Sequence, residues 1–187
     1  REKIEAGERL DLEDGLAILE SDDLLSLGQL ADLARRVRGG SDEVYFVQNL
    51  YLNQTNVCRV KCKFCAFAVT QKQEGAYTYT AEELVEDAVR QRELTGFTEI
   101  HMVGGESPHV DFSYYVEIVS KLHHAMPDVH LKLFTASEVH HMSKLAGITH
   151  EAVLRELKAA GLGSRPGGGA EVFADRLDRF FSDLPRD

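Results

Sequence analysis

Apolar and polar positions follow two different periods along the chain, and the changes of period mark out its elements. Over residues 1–40 the apolar residues recur at helical spacing. Leu12, Leu16, Ile18 and Leu19 form one group, for which Asp11 or a neighbour is the expected cap, and Leu24, Leu27, Leu30, Ala31 and Ala34 form the next. Ser21 is the expected N-cap of that second helix, with Asp22 and Asp23 in the first turn, where carboxylates suit the helix dipole. Gly39-Gly40 ends the run. Nothing in this stretch suggests chemistry. The expectation is a helical cap over residues 1–42 that packs on a main domain over residues 43–187.

From Val44 to Val57 the residues turn β-branched, aromatic and polar, which predicts a short strand pair or one strand running on to Cys58. Thr80-Ala81-Glu82-Glu83 is a capping box opening a helix with Leu84, Val85, Ala88 and Val89 on one face, closed by Gly96. A strand follows over Glu99–Val103 and ends at Gly104-Gly105-Glu106. The next helix runs from near Phe112 through Ile118 and Leu122 until Pro127 stops it. Val129–Phe134 is a third strand. Ser137 is the expected cap of a short helix, and Thr149 of another that reaches Gly161. A brief strand near Ser164 meets Pro166-Gly167-Gly168-Gly169, and a last helical segment begins at about Glu171.

Strand, loop and helix thus repeat four times after residue 50. That alternation predicts an α/β fold with parallel strands joined by right-handed helical crossovers, preceded by the N-terminal helices. In such folds the chemistry sits on loops that follow the carboxyl ends of the strands. The cysteines, Gly104-Gly105-Glu106, Thr135 with Glu138, and Gly167-Gly168-Gly169 all fall on such loops, so they are expected on one face.

Composition narrows the function classes. Hydrophobic residues make up 43% and charged residues 28% of the 187 residues, a globular balance. A formal net charge of -10 argues against a general nucleic-acid binder, which needs a basic face. No run of about 18 apolar residues points to a membrane helix, and the opening residues show no signal peptide. The expectation is a cytoplasmic protein, which the clustered thiols fit.

All three cysteines stand within Cys58-Arg59-Val60-Lys61-Cys62-Lys63-Phe64-Cys65, a C-x3-C-x2-C run. Three thiols so close read as one ligand set. A closed zinc site or an ordinary ferredoxin-type cluster wants four protein ligands. A four-iron cluster on three thiolates leaves one iron open to an exchangeable ligand. Zinc remains the alternative, with His101 or His109 as fourth ligand, although C-x3-C matches the usual zinc spacings poorly. Lys61 and Lys63 would offset the negative charge of the cluster, and Phe64 can lay its ring against a planar ligand. Gly104 and Gly105 either make a tight turn or allow close approach of a ligand, whose ammonium group Glu106 can bond. Gly168, within its run of glycines, either turns the chain or leaves room for a ribose or carboxylate, and Arg165 either clamps a carboxylate or is a solvated surface residue. The eight histidines form no clean ligand set and read mostly as surface or cap residues. Tyr77 and Tyr79 read as core or edge packing, with the lining of a pocket as the alternative.

With those residues in place, the chain resembles the radical S-adenosylmethionine superfamily. The motifs are the C-x3-C-x2-C loop after the first strand, Phe64 within it, and Gly-Gly-Glu after the second. Thr55-Asn56-Val57-Cys58, Cys62–Phe67, Val103-Gly104-Gly105, Pro127–His130 and Pro166–Glu171 are similar to the futalosine branch of menaquinone biosynthesis. Phe134-Thr135-Ala136 with Glu138, and His101-Met102-Val103, resemble the aminofutalosine synthases more than the dehypoxanthine futalosine cyclases or the FO synthases. The resemblance implies a partial (β/α) barrel, a 4Fe-4S cluster on Cys58, Cys62 and Cys65, and S-adenosylmethionine as co-substrate. It also implies an electron donor and an aromatic carboxylate substrate, 3-(1-carboxyvinyloxy)benzoate, to which the 5'-deoxyadenosyl radical adds to give 6-amino-6-deoxyfutalosine. Lys132, His130 and Arg165 are candidate partners for its carboxylates. The chain departs from the family where Gly105-Glu106-Ser107-Pro108 replaces the common Gly-Gly-Leu-His-Pro, and where Arg165 replaces an apolar residue. The resemblance covers roughly the first four βα units of a six-unit partial barrel. The expectation is that a second chain or segment completes the barrel and that this polypeptide alone is inactive or poorly folded.

Overall fold

The computed structural model describes residues 1–39, 43–60, 62 and 65–167. The chain divides into two compact units, Arg1–Phe46 and one beginning at Val47.

The first unit holds α1 (Glu2–Glu5), α2 (Leu12–Glu20) and α3 (Leu24–Gly39). Asp11 caps α2 in a reciprocal box: its carboxylate accepts from Asp14 N at 3.0 Å, and that of Asp14 accepts from Asp11 N at 2.9 Å. Lys3 Nζ reaches both carboxylates, at 2.8 and 2.6 Å, tying α1 to the start of α2. The third helix starts later than the sequence suggests. Ser21 terminates α2 in extended conformation, and Asp23 accepts from both the amide and the hydroxyl of Ser26, at 3.1 and 2.6 Å. A carboxylate accepts both bonds at once, so Asp23 displaces Ser21 as the cap. By its own packing this unit buries no residue of its helices.

The second unit is built on three parallel strands in the order β1 (Asn49–Leu52), β2 (Glu99–Met102) and β3 (His130–Leu133). The register pairs Leu50 with Ile100 and Leu131, and Tyr51 with His101 and Lys132. β1 is much shorter than the Val44–Val57 stretch that favours extended structure. Val44, Tyr45 and Phe46 have the right side chains but lie outside the sheet, and beyond Leu52 pairing continues only as single bridges, Thr55 with Thr78 and Val57 with Val69. The expected strand near Ser164 is likewise one bridge, to Lys132. The helix expected from about Glu171 lies outside the described residues.

The crossovers are α4 (Ala81–Thr95) and α5 (Phe112–Ala125), followed by α6 (Ala136–Ala146) and α7 (His150–Ala160). Thr80 and Glu83 form the expected capping box, and Gly96 closes α4 at φ 66°, in the left-handed region that favours glycine. At α6 the cap is Thr135 rather than Ser137, because Thr135 leads a box completed by Glu138. Strands in sequential order with helical crossovers of one hand place successive helices on the same side of the sheet. Accordingly α4 packs on α5, and α5 on α6 and α7. Leu52, Ile100, Met102, Leu131 and Leu133 meet Leu84, Ile118, Leu122, Val153 and Leu157 in one core. The sheet is therefore wound in one direction, as in a barrel, and the face away from the helices carries Tyr51, His101 and Lys132 in a single row.

Candidate functional site

The site grows from the chain leaving β1. Gln54 and Thr55 are fully buried and Asn56 nearly so, an unusual run of polar residues for an interior. The side chains of Thr55 and Asn56 bond the returning chain, while that of Gln54 donates to Glu138. Thr55 Oγ1 donates to Tyr77 O at 2.7 Å, Asn56 Nδ2 donates to Gly75 O at 2.9 Å, and Asn56 Oδ1 accepts from Tyr77 N at 2.8 Å. Cys58 N donates to Val69 O, and Val69 N to Asn56 O. The cysteine loop is thus pinned at its base by two lines of bonds, with the thiols beyond them.

Gly104 and Gly105 lie against this base, and neither has a positive φ. A Cβ on Gly105 would stand 2.2 Å from Val57 O, and one on Gly104 would stand 2.5 Å from Gln54 Oε1. The pair is required by close approach to the stem of the cysteine loop rather than by a turn conformation. Gly105 N donates to Thr55 O at 2.7 Å and Arg59 N to Glu106 O at 3.0 Å, so the second loop is strapped to the first.

The third loop joins them through Glu138. Its side chain is buried, and one carboxylate accepts four bonds: Oε1 from Gln54 Nε2 and Gly104 N, both at 3.0 Å, and Oε2 from Thr135 N and Oγ1, both at 2.8 Å. Burial pushes this carboxyl above the ordinary glutamate value, and the four donors pull it back. Phe134, immediately before the cap, is the one described non-glycine residue in the left-handed region, at φ 63°. It is completely buried and meets Tyr115 edge-on, with ring centroids 5.5 Å apart. Packing holds a conformation that L-residues rarely adopt, and that kink begins the turn into α6.

Glu106 is buried. Its side chain is only 7% exposed, with Oε2 3.8 Å from Arg59 Nη1 and 3.9 Å from His141 Nδ1. His141, expected at the surface, is buried, and its Nε2 stands 2.9 Å from Ser107 O, the distance at which an Nε2–H donates. Its Nδ1 has no hydrogen-bond partner among the described residues. The Glu106 carboxylate thus lies between Arg59 and His141. Periodicity hides His141, because a histidine on the buried side of α6 looks like any other helical residue.

The cysteines are free, Cys58 and Cys62 half-buried and Cys65 exposed. Burial pushes the Cys62 thiol up, and the neighbouring Cys58 and Cys65 push it further. Three thiols gathered on one short loop are a donor set for a cationic group. Among the described residues no three histidine, cysteine or acidic side chains are placed to hold a single metal ion. His109 is exposed, and His101 lies on the open sheet face, where burial and Lys132 push its pKa down. Phe64, Gly168, Lys61 and Lys63 lie outside the described residues, and Arg165 is exposed.

Of the candidate carboxylate partners, Lys132 pairs with Glu99 beside His101 on the open face. His130 bonds Ser164 Oγ at 2.7 Å at the opposite, amino end of β3. Tyr77 and Tyr79, 4.7 Å apart, line a groove of about 450 Å³ with Tyr51 and Glu83.

A thiol loop at the carboxyl end of the first strand is thus strapped to a glycine turn at the end of the second, on a sheet wound in one direction. Residues 52–184 match the Radical SAM superfamily, and the chain belongs to it. Membership implies a 4Fe-4S cluster and S-adenosylmethionine, for which the thiol set is suited.

Among its relatives, the aminodeoxyfutalosine synthase of Thermus thermophilus is 43% identical over 178 residues, covering 95% of this chain and 47% of the relative. That of Streptomyces coelicolor is 44% identical over 172 residues, covering 92% and 44%. The cyclic dehypoxanthine futalosine synthase of Halalkalibacterium halodurans is 32% identical over 169 residues, covering 90% and 45%. The chain therefore spans about half the length of the curated relatives it matches. In fold it is similar to HydG, a maturase of the FeFe-hydrogenase, with a TM-score of 0.75 at 17% identity, over 98% of this chain and 39% of that one. No helix among the described residues is long and apolar enough to cross a membrane.

Proposed function

We propose that the protein is an aminodeoxyfutalosine synthase in its cofactor-binding part, a cytoplasmic transferase of menaquinone biosynthesis. Its substrates would be S-adenosylmethionine and 3-(1-carboxyvinyloxy)benzoate, and its product 6-amino-6-deoxyfutalosine. The observation that carries this reading is the strapping of the cysteine loop to the Gly104–Gly105–Glu106 turn, in a chain closer to the synthases than to the cyclase relative. Cys58, Cys62 and Cys65 would hold the cluster. When bound, cluster and S-adenosylmethionine together supply a 5'-deoxyadenosyl radical that adds to the enol ether.

The chain's own residues do the positioning. The glycine turn brings backbone polar groups beside the cysteine loop, where they can orient the methionyl ammonium, with Glu106 held by Arg59 and His141. Gly168 and Phe64 are proposed for the adenosyl half. Lys132, beside Glu99, and His101 share one row on the open face and would bind a substrate carboxylate. An electron donor, and a further segment supplying the later strands, complete the proposal.

Anaerobic reconstitution provides the test. We expect about four irons per chain rather than one zinc. Together with a segment carrying the remaining strands and a reductant, aminodeoxyfutalosine should appear by mass spectrometry. Zinc uptake, or turnover of dehypoxanthine futalosine in place of the enol ether, would overturn the reading. Robust turnover by the 187 residues alone would overturn the need for a further segment.

A further inference from the structure

We propose that Glu138 is a positioning residue of the cofactor site, clamping the Gly104–Gly105–Glu106 turn and the stem of the cysteine loop together through Gly104 N and Gln54 Nε2. The inference rests on the reading of that turn as the S-adenosylmethionine site and adds a residue to it.

Two capping boxes in this chain separate the clamp from ordinary helix capping. At α4, Glu83 is exposed, and its Oε2 bonds the amide and hydroxyl of Thr80. At α6, Glu138 makes the same two bonds with Oε2, to Thr135, while Oε1 turns to the loops after β1 and β2. Capping occupies one oxygen. The other is directed at the site.

The location supports the same division. Glu138 is 2% exposed, a costly place for a carboxylate unless its acceptor sites are filled. Gln54 and Gly104, which fill Oε1, come from the ends of the two strands that carry the candidate cofactor loops. The same two residues pack closely, since Gln54 Oε1 stands 2.5 Å from where a Cβ on Gly104 would be. From Gly104 the connection continues through Gly105 N to Thr55 O, and through Glu106 O to Arg59 N, one residue from Cys58. The buried Phe134, at positive φ, begins the turn that points α6 and its first-turn glutamate into this junction. Glu138 touches no cofactor ligand itself and acts through Gly104 and Gln54.

Amide hydrogen exchange and cofactor binding in three variants test this. Glu138→Ala should raise exchange at Gly104 in the metal-free protein at least about tenfold, the loss expected for a charge-assisted bond. After reconstitution it should weaken S-adenosylmethionine binding, read from the change in the electron paramagnetic resonance of the reduced cluster, with iron content unchanged. Glu83→Ala removes only a cap and should alter neither. Thr135→Val loosens α6 while leaving Oε1 in place, and should spare Gly104. If circular dichroism shows Glu138→Ala to be unfolded, Glu138→Asp, which retains charge but is one methylene shorter, should give the same exchange result. Unchanged Gly104 exchange in the folded Glu138 variant, or an equal loss in Glu83→Ala, would overturn the proposal. Exchange in the metal-free chain reads the clamp alone. Failure of the wild-type protein to bind iron or S-adenosylmethionine would therefore sink the functional reading and leave the clamp standing.

Discussion

A methyl group at Gly105 would lie 2.2 Å from Val57 O and 2.7 Å from its carbonyl carbon, well inside van der Waals contact with atoms that have no rotamer to change. Relief requires moving the stem of the cysteine loop. We expect Gly105→Ala to destabilise the protein by at least about 2 kcal/mol and to abolish iron uptake on reconstitution, measured by denaturant titration and iron analysis. A variant that folds and loads iron normally would show that this contact does not position the thiols. At this scale the sequence was informative about residue type and less so about cause. Gly104, Gly105 and the three cysteines stand out as motifs, but no motif says that the glycines are needed for backbone contact instead of a positive φ. Glu138, Gln54 and His141 are ordinary letters in a sequence, and only the meeting of three loops makes them part of the site. Phe134 had no signal at all, because aromatic residues normally avoid φ 63°.

Among the elements, capping chemistry and apolar periodicity placed α2, α4, α5 and α7 closely, since these depend on residues three or four apart. Errors arose where two local candidates compete. Asp23 displaces Ser21, and Thr135 displaces Ser137, each because the winner's cap is completed by a second bond within one turn. Strand limits were harder: Val44–Phe46 have strand-forming side chains and no neighbouring strand, and pairing is a long-range fact. One cap carries a pH signature. Lys3 and the Asp14 amide hold the Asp11 carboxyl at about 2, against 3.8 in its absence. Because this value is depressed on folding, the stabilisation is present above pH 3.8 and is lost as pH falls through about 2. We expect the helical circular dichroism of the α1–α2 region to hold down to that window and to decline within it, with the Asp11 carboxyl carbon titrating there by NMR. Titration at the ordinary value would show that Lys3 does not engage it.

For the molecule as a whole, the two units differ in how they are held together. From Val47 on, the strands and α4, α5, α6 and α7 share one apolar core, whereas the first unit by itself buries none of its helix residues and relies on caps and on ion pairs of Lys3 and Asp32. Exposed ion pairs contribute little each. Amides of α2 and α3 should therefore exchange with solvent far faster than those of β2, β3 and α5, a difference that exchange mass spectrometry can read directly. Equal protection would mean that the first unit has cover its own packing does not provide. The single-direction winding of the sheet follows from the alternation of elements in the sequence. Which residues face the open side follows only from the register, which sets Tyr51, His101 and Lys132 in one row.

The two adjacent glycines should behave differently under genetic selection. The obstacle at Gly104 is the Gln54 side chain, which a second mutation can shorten, whereas the obstacle at Gly105 is main chain. Suppressors of Gly104→Ala can arise at position 54, while selection on Gly105→Ala should return true revertants. Lineages can thus drift at Gly104 in company with Gln54, but Gly105 has no partner with which to covary.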